Sequence, residues 1–204
     1  MIRSKLIFLT KAVLIFLIFS LKSYSDNIDN ISDNLVVLGI DEAPVKIKIY
    51  SSLTCPHCAD FHINVVSKIK KKYVETGKVQ LIFFDFPLDQ VAFNASKLLH
   101  CLDKKEQMKF LDTIYETQNK WTSGQDVEEI NKNLGKIIKK FGVNSTQFDN
   151  CLANEAISDK ILNGRIDAVA KYSINSTPTI IINEKKLEGS VNFENIKKRI
   201  EKLI

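Results

Sequence analysis

The stretch "SSLTCPHCADFH", residues 51–62, places two thiols three positions apart where one hydrophobic periodicity gives way to another. Before it, "APVKIKIY" (43–50) alternates Val45, Ile47 and Ile49 with Lys46 and Lys48. That is the period of a strand with one buried and one wet face, and Pro44 marks its start. After it, Phe61, Val65, Val66, Ile69 and Tyr73 recur at helical spacing up to Gly77, a residue suited to ending a helix. "KVQLIFFDFPL" (78–88) follows as an aromatic-rich strand closed by Pro87. The unit is strand, helix, strand, with Cys55-Pro56-His57-Cys58 at the N-terminus of the helix.

Four chemistries use such a cysteine pair. Haem attachment needs a histidine directly after the second cysteine, where this chain has Ala59. Zinc could take Cys55, Cys58 and His57 or His62, but closing a tetrahedron needs a second cluster, and Cys101 and Cys151 are far apart in the chain. A short structural disulfide is compatible with the spacing but leaves the junction position unexplained. Redox exchange explains it. The attacking species is a thiolate, and a cysteine at a helix N-terminus faces unsatisfied N–H groups and the positive end of the macrodipole. Cys55 is then the exposed nucleophile, Cys58 the more buried resolving thiol, and His57 a donor or positive charge beside the Cys55 sulfur. Stabilising the thiolate stabilises the reduced form and makes the disulfide an oxidant.

Residues 89–173 are helical in texture, with Val91, Ala95, Leu98 and Leu102 as one apolar stripe and Met108, Leu111, Ile114 and Tyr115 as another. "TSGQD" (122–126) and "GVNSTQ" (142–147) read as turns and helix starts. "NSTPTIIINEKKLEGS" (175–190) reads as a strand, a short turn and a return strand, and 192–204 as an amphipathic terminal helix. Four segments result: 1–25 a leader, 26–88 the first α/β part with the cysteine pair, 89–173 a helical insertion, and 174–204 the closing α/β part.

The leader "MIRSKLIFLTKAVLIFLIFSLKSYS" has a basic start, an apolar stretch and small residues Ser23 and Ser25 spaced for cleavage, as in a secretory signal peptide. An uncleaved anchor is the alternative; the unbroken run Ala12 to Phe19 is short for one. Without the leader the formal charge falls from +5 to about +1. The lysine runs at 68–72 and 136–140 are interleaved with apolar residues at helical spacing, so they are solvated helix faces and no nucleic-acid partner is expected. Export to an oxidising compartment permits all four cysteines to pair. Cys101 and Cys151 can form a second, structural disulfide or remain two free buried thiols. His100 and His62 are assigned only surface or packing roles.

The order of elements resembles the thioredoxin fold, and CPHC followed by a helical insertion resembles the DsbA family of exported thiol oxidoreductases, over roughly residues 35–204. "APVKIKIYSSLTCPHCADFH" is similar to the family's entry strand and active-site helix, and "STPT" (176–179) to its cis-proline loop. The resemblance implies an α/β thioredoxin fold with a large inserted helical domain. It makes Cys55 the nucleophile, Cys58 the resolving cysteine, His57 the thiolate stabiliser and Pro178 the cis-proline, with Thr177 offering backbone hydrogen bonds to a substrate chain. Ile49 stands where many members carry a buried glutamate, and Thr177 where the strongest oxidases often have valine. The implied activity is oxidation of unfolded or reduced substrate proteins in the periplasm, with no diffusible cofactor and a membrane redox partner that restores the disulfide. A disulfide isomerase or reductase, and a non-enzymatic chaperone for unfolded chains, are the rivals. The stretch between Ser25 and Pro44 is too short for the dimerisation domain that related isomerases carry, so a monomer is expected.

Overall fold

The computed structural model describes residues 36–204. The candidate signal segment 1–25 lies outside the described residues. Among those described, no helix is long and apolar enough to cross a membrane.

The centre is a five-stranded mixed sheet in the order β1-β3-β2-β4-β5. β2 (Val45–Ser51) and β3 (Val79–Asp85) run parallel, with Ile49 opposite Phe83 and Ser51 opposite Asp85. β4 (Thr179–Ile182) pairs antiparallel with β2 and carries β5 (Lys185–Lys186) on its far side. These strands lie in the segments where alternation and β-branched residues called for them. β1 (Val36–Leu38), antiparallel to β3, was not foreseen: three residues are too few to show a period. Gly39 follows it at φ +110 with the Val79 carbonyl in the way of any Cβ, so only glycine makes this turn.

α1 opens with Pro56–Phe61 and continues through a π-helical stretch His62–Val66, an α-helical stretch Ser67–Ile69 and a second π-helical stretch Lys70–Val74. The widened turns keep Phe61, Val65, Val66, Ile69 and Tyr73 all turned to the core. Six α-helices follow before the sheet resumes: α2 (Gln90–Cys101), α3 (Lys104–Glu116), α4 (Gln118–Trp121), α5 (Val127–Ile138), α6 (Ser145–Leu152) and α7 (Glu155–Tyr172). α8 (Phe193–Ile200) closes the chain. Five of these seven helices, α2, α5, α6, α7 and α8, start at a short polar side chain that caps them. Asp89, Asp126, Asn154 and Asn192 each accept from a first-turn N–H, and Asn144 forms a reciprocal capping box with Gln147.

Val45, Ile47 and Ile49 of β2 and Val79, Leu81 and Phe83 of β3 share the sheet face that joins α1 in the main core. The opposite face is not simply wet. Lys46 is exposed, but further along β2 the Tyr50 ring is buried with Phe86, Ala168, Ile174 and Ile181 in a second cluster. Between them Lys48 bonds the Tyr172 hydroxyl at 3.1 Å and pairs with Glu184. α7 therefore covers the end of the strand near the cysteine pair, and the lysine alternation is a signal only of its other end.

Candidate active site

The loop leaving β2 delivers Cys55 as the N-cap of α1, with its carbonyl accepting from the N–H of Cys58 at 3.0 Å and of Ala59 at 3.2 Å. Pro56 occupies the first helical position, where a missing N–H costs no intrahelical bond. No side chain caps this helix start, so the Cys55 sulfur sits at an N-terminus whose N–H groups have no competing acceptor from a capping residue. Both cysteines are free thiols. The sequence leads one to expect an exposed Cys55; in the folded protein both cysteines are buried, Cys55 at 8% and Cys58 at 1% exposure, with Cys55 the more accessible of the two.

Across from Cys55 lies the Thr177–Pro178 peptide, which is cis. The Cys55 sulfur donates to the Thr177 carbonyl at 3.5 Å. The loop is braced by the Thr179 hydroxyl, which donates to the Ser176 carbonyl at 2.7 Å. Burial pushes the Cys58 thiol up to about 12; the polar groups of Thr177 and Ser52 pull the other way, and the neighbouring Cys55 adds to the rise. Cys58 is thus a protonated thiol at neutral pH. The His57 side chain is exposed and makes no hydrogen bond among the described residues.

The helical segments hold the loop by contacts that no sequence signal announced. Gln118 of α4, 5% exposed, donates through Nε2 to the carbonyls of Leu53 at 2.8 Å and Cys55 at 3.1 Å. Asp89 accepts from the Thr54 hydroxyl at 2.6 Å while capping α2, and the Ser52 hydroxyl accepts from the N–H of Leu88 at 3.4 Å. Leu88 itself is 51% exposed beside the loop.

Cys101 at the end of α2 and Cys151 in α6 are joined in a disulfide with Cα atoms 6.0 Å apart. They bond to each other and not to the Cys55 and Cys58 pair. His62 and His100, expected only at the surface or in packing, are both packed in the interior, and each also has an acidic partner. His62 Nε2 lies 2.7 Å from Asp112, tying α1 to α3, and His100 Nε2 lies 2.5 Å from Asp85 at the end of β3. Burial opposes charge on Asp85, but the charge and hydrogen bond of His100, together with Ser96 and a backbone hydrogen bond, hold the carboxyl below its ordinary value.

Residues 32–202 match the model of the family described as thioredoxin. The chain is 29% identical over 169 residues to a Bacillus anthracis protein named "Probable disulfide bond formation protein D", covering 81% of this chain and 76% of that one. A longer Rickettsia prowazekii relative is 28% identical over 176 residues, which spans 85% of this chain and 63% of the relative. The crystal structure of alpha-DsbA1 from Wolbachia pipientis superposes with a TM-score of 0.75 at 31% identity, covering 84% of this chain and 91% of that one.

Proposed function

The chain belongs to the thioredoxin family as a DsbA-like protein-disulfide oxidoreductase, and from that premise we propose that it is an exported oxidant that introduces disulfides into folding proteins through Cys55 and Cys58. In the oxidised form a substrate thiolate attacks the Cys55 sulfur, the Cys55–Cys58 bond breaks, and Cys58 takes up a proton. A second substrate thiol then attacks the mixed disulfide, leaving a substrate disulfide and Cys55 as thiolate. Two electrons and one proton, the latter on Cys58, have moved to the protein and the other substrate proton has gone to solvent; a membrane redox partner is proposed to remove the electrons.

The observation that carries this is the asymmetry of the pair. Cys55, the more accessible sulfur, sits at a helix N-terminus 3.5 Å from the Thr177 carbonyl, while Cys58 is almost fully buried behind it. Such placement directs attack to the Cys55 sulfur and leaves Cys58 as the resolving thiol. An extended substrate strand would use backbone groups of Thr177, and the half-exposed Leu88 beside the loop offers it apolar contact.

The test is to mix the oxidised protein with a reduced, unfolded protein of several cysteines and count substrate disulfides by mass. Stoichiometric transfer, abolished in Cys55→Ser, is the expected result. Transfer only from scrambled to native pairing, and only by the reduced protein, would make it an isomerase. Protection of unfolded chains that survives Cys55→Ser intact would make it a chaperone.

A further inference from the structure

Away from the dithiol, one open cleft gathers charge of a single sign. It has a volume of about 660 Å³ and lies between the β4 and β5 hairpin and α8. Lys185 and Lys186 of β5 line it together with Lys198 and Arg199 of α8 and Lys202 just beyond, and Glu188 is the one carboxylate among its lining residues. Beyond the leader the chain carries a formal charge of only about +1. This face is therefore far more positive than the rest of the surface.

Elsewhere Lys72, Lys132, Lys171 and Lys197 each pair with a carboxylate. The five cations of the cleft have no such partner among the described residues; Lys186 donates to the neutral carbonyl of Ser173 at 3.3 Å. The nearby acids are engaged by other groups. Glu194 lies 3.6 Å from Lys197, and Glu201 pairs with Lys72 at 3.2 Å and accepts from the Tyr73 hydroxyl at 2.9 Å. Like charges gathered without counter-charge repel one another, and an anion seated on them relieves that repulsion.

The scaffold beneath the charges is fixed. Asn195 of α8 donates through Nδ2 to the carbonyls of Glu188 and Ser190, both at 2.9 Å, which straps the loop after β5 to the helix. Ile196 and Ile200 anchor the other side of α8 in the core. The four lysines are exposed and Arg199 is half-buried.

Residue type and shape select the anion. Protein partners are gripped through aromatic and arginine anchors in a desolvated patch, from which lysine is depleted; this cleft has four lysines and no aromatic residue. A single small anion needs buried donors converging on one point, and these lysines are exposed. Clustered lysines on an open face suit a diffuse, multiply charged surface such as anionic lipid headgroups. Binding there leaves the dithiol uncovered, because Lys185 and Lys186 pair with Ile182 and Ile181, the end of β4 remote from Thr179 and the Thr177–Pro178 peptide.

We propose that the face formed by Lys185, Lys186, Lys198, Arg199 and Lys202 holds the protein against the surface of an anionic phospholipid membrane, by charge and without insertion. The contact involves no thiol chemistry and does not depend on the direction of disulfide exchange.

The test is sedimentation of the full chain with vesicles of phosphatidylcholine alone or mixed equally with phosphatidylglycerol. Wild type should bind the mixed vesicles more tightly than the neutral ones, and the difference should vanish as salt rises and screens the attraction. Combining Lys185→Gln, Lys186→Gln, Lys198→Gln and Lys202→Gln should weaken binding to the mixed vesicles at least tenfold. A charge-matched control with Lys104→Gln, Lys120→Gln, Lys139→Gln and Lys140→Gln, all exposed positions of the helical segments, should stay within twofold of wild type. Circular dichroism of both variants checks that they fold. Undiminished binding by the first variant overturns the proposal, and an equal loss in the control overturns it by showing that net charge alone governs binding. Tighter binding to soluble polyglutamate than to the mixed vesicles also overturns it and gives the face to an acidic polypeptide. Cys55→Ser should bind as wild type does, so failure here and failure of the oxidant reading are told apart.

Discussion

Gln118 donates to the carbonyl of Cys55 at 3.1 Å from a helix 63 positions further along the chain. The same amide nitrogen donates to Leu53, so one buried side chain fixes both ends of the loop that presents the nucleophile. Gln118→Leu keeps the bulk and removes both donors. It should destabilise the protein by about 2 kcal/mol, the cost of losing both bonds and leaving the Leu53 carbonyl unpaired, as read by urea denaturation of the oxidised form. Unchanged stability would mean that the loop does not depend on this residue.

The Cys58 thiol, raised by burial from an ordinary value of 9.0 to about 12, makes the reduced protein sensitive to alkali. A folded-state value above the unfolded one means that the folded state holds the proton longer, so its stabilisation is full below about pH 9 and is lost progressively toward pH 12. The oxidised form has no thiol there to titrate. Thermal unfolding of the two forms from pH 7 to 10 should show the reduced form losing ground relative to the oxidised one above about pH 9. Iodoacetamide at pH 7 should label Cys55 and spare Cys58; equal labelling of both would contradict their assignment.

The Cys101–Cys151 disulfide closes a loop with a sequence separation of 50 and ties α2 to α6. Replacing both cysteines by serine should cost up to about 4 kcal/mol in the chain-entropy account. The pair should also resist a reductant strong enough to open Cys55–Cys58, because it gains nothing from a stabilised thiolate. Mass mapping after graded reduction checks the order of opening, and the reverse order would contradict it.

Glu184 pairs with Lys48 and Lys171 and accepts from Tyr172, and these partners hold its carboxyl at about 2 against the opposing effect of burial. A depressed value contributes stability that is present above about pH 4.5 and lost as pH falls toward about 2. The group is half exposed, so solvent screening keeps the effect modest. Glu184→Gln should flatten the acid limb of the stability profile and leave stability at pH 9 little changed; an unaltered acid limb would show that the cluster contributes nothing.

What the sequence revealed and what it hid divide along a physical line. β2, α1 and β3 were legible because their apolar residues recur at the period of the element, and the cysteine pair because its chemistry depends on local spacing. The contacts behind the loop were not. Gln118 lies in α4 with no feature to mark it, and Asp85 and His100 meet only because the end of β3 is packed against α2, an arrangement fixed by the tertiary fold. Ile49 shows the same limit from the other side: the absence of an acid at one position is visible in sequence, while the burial of Asp85 against His100 is visible only in three dimensions.

The central claim is that helix placement of Cys55 and burial of Cys58 make this pair an oxidant. The equilibrium of Cys55–Cys58 against a series of glutathione buffers measures it directly. The account predicts a potential well above that of a reducing dithiol such as thioredoxin, about −270 mV, and toward that of a strong oxidant, about −120 mV. A value at or below about −270 mV would contradict it, since the disulfide would then be the stabilised form and the protein a reductant.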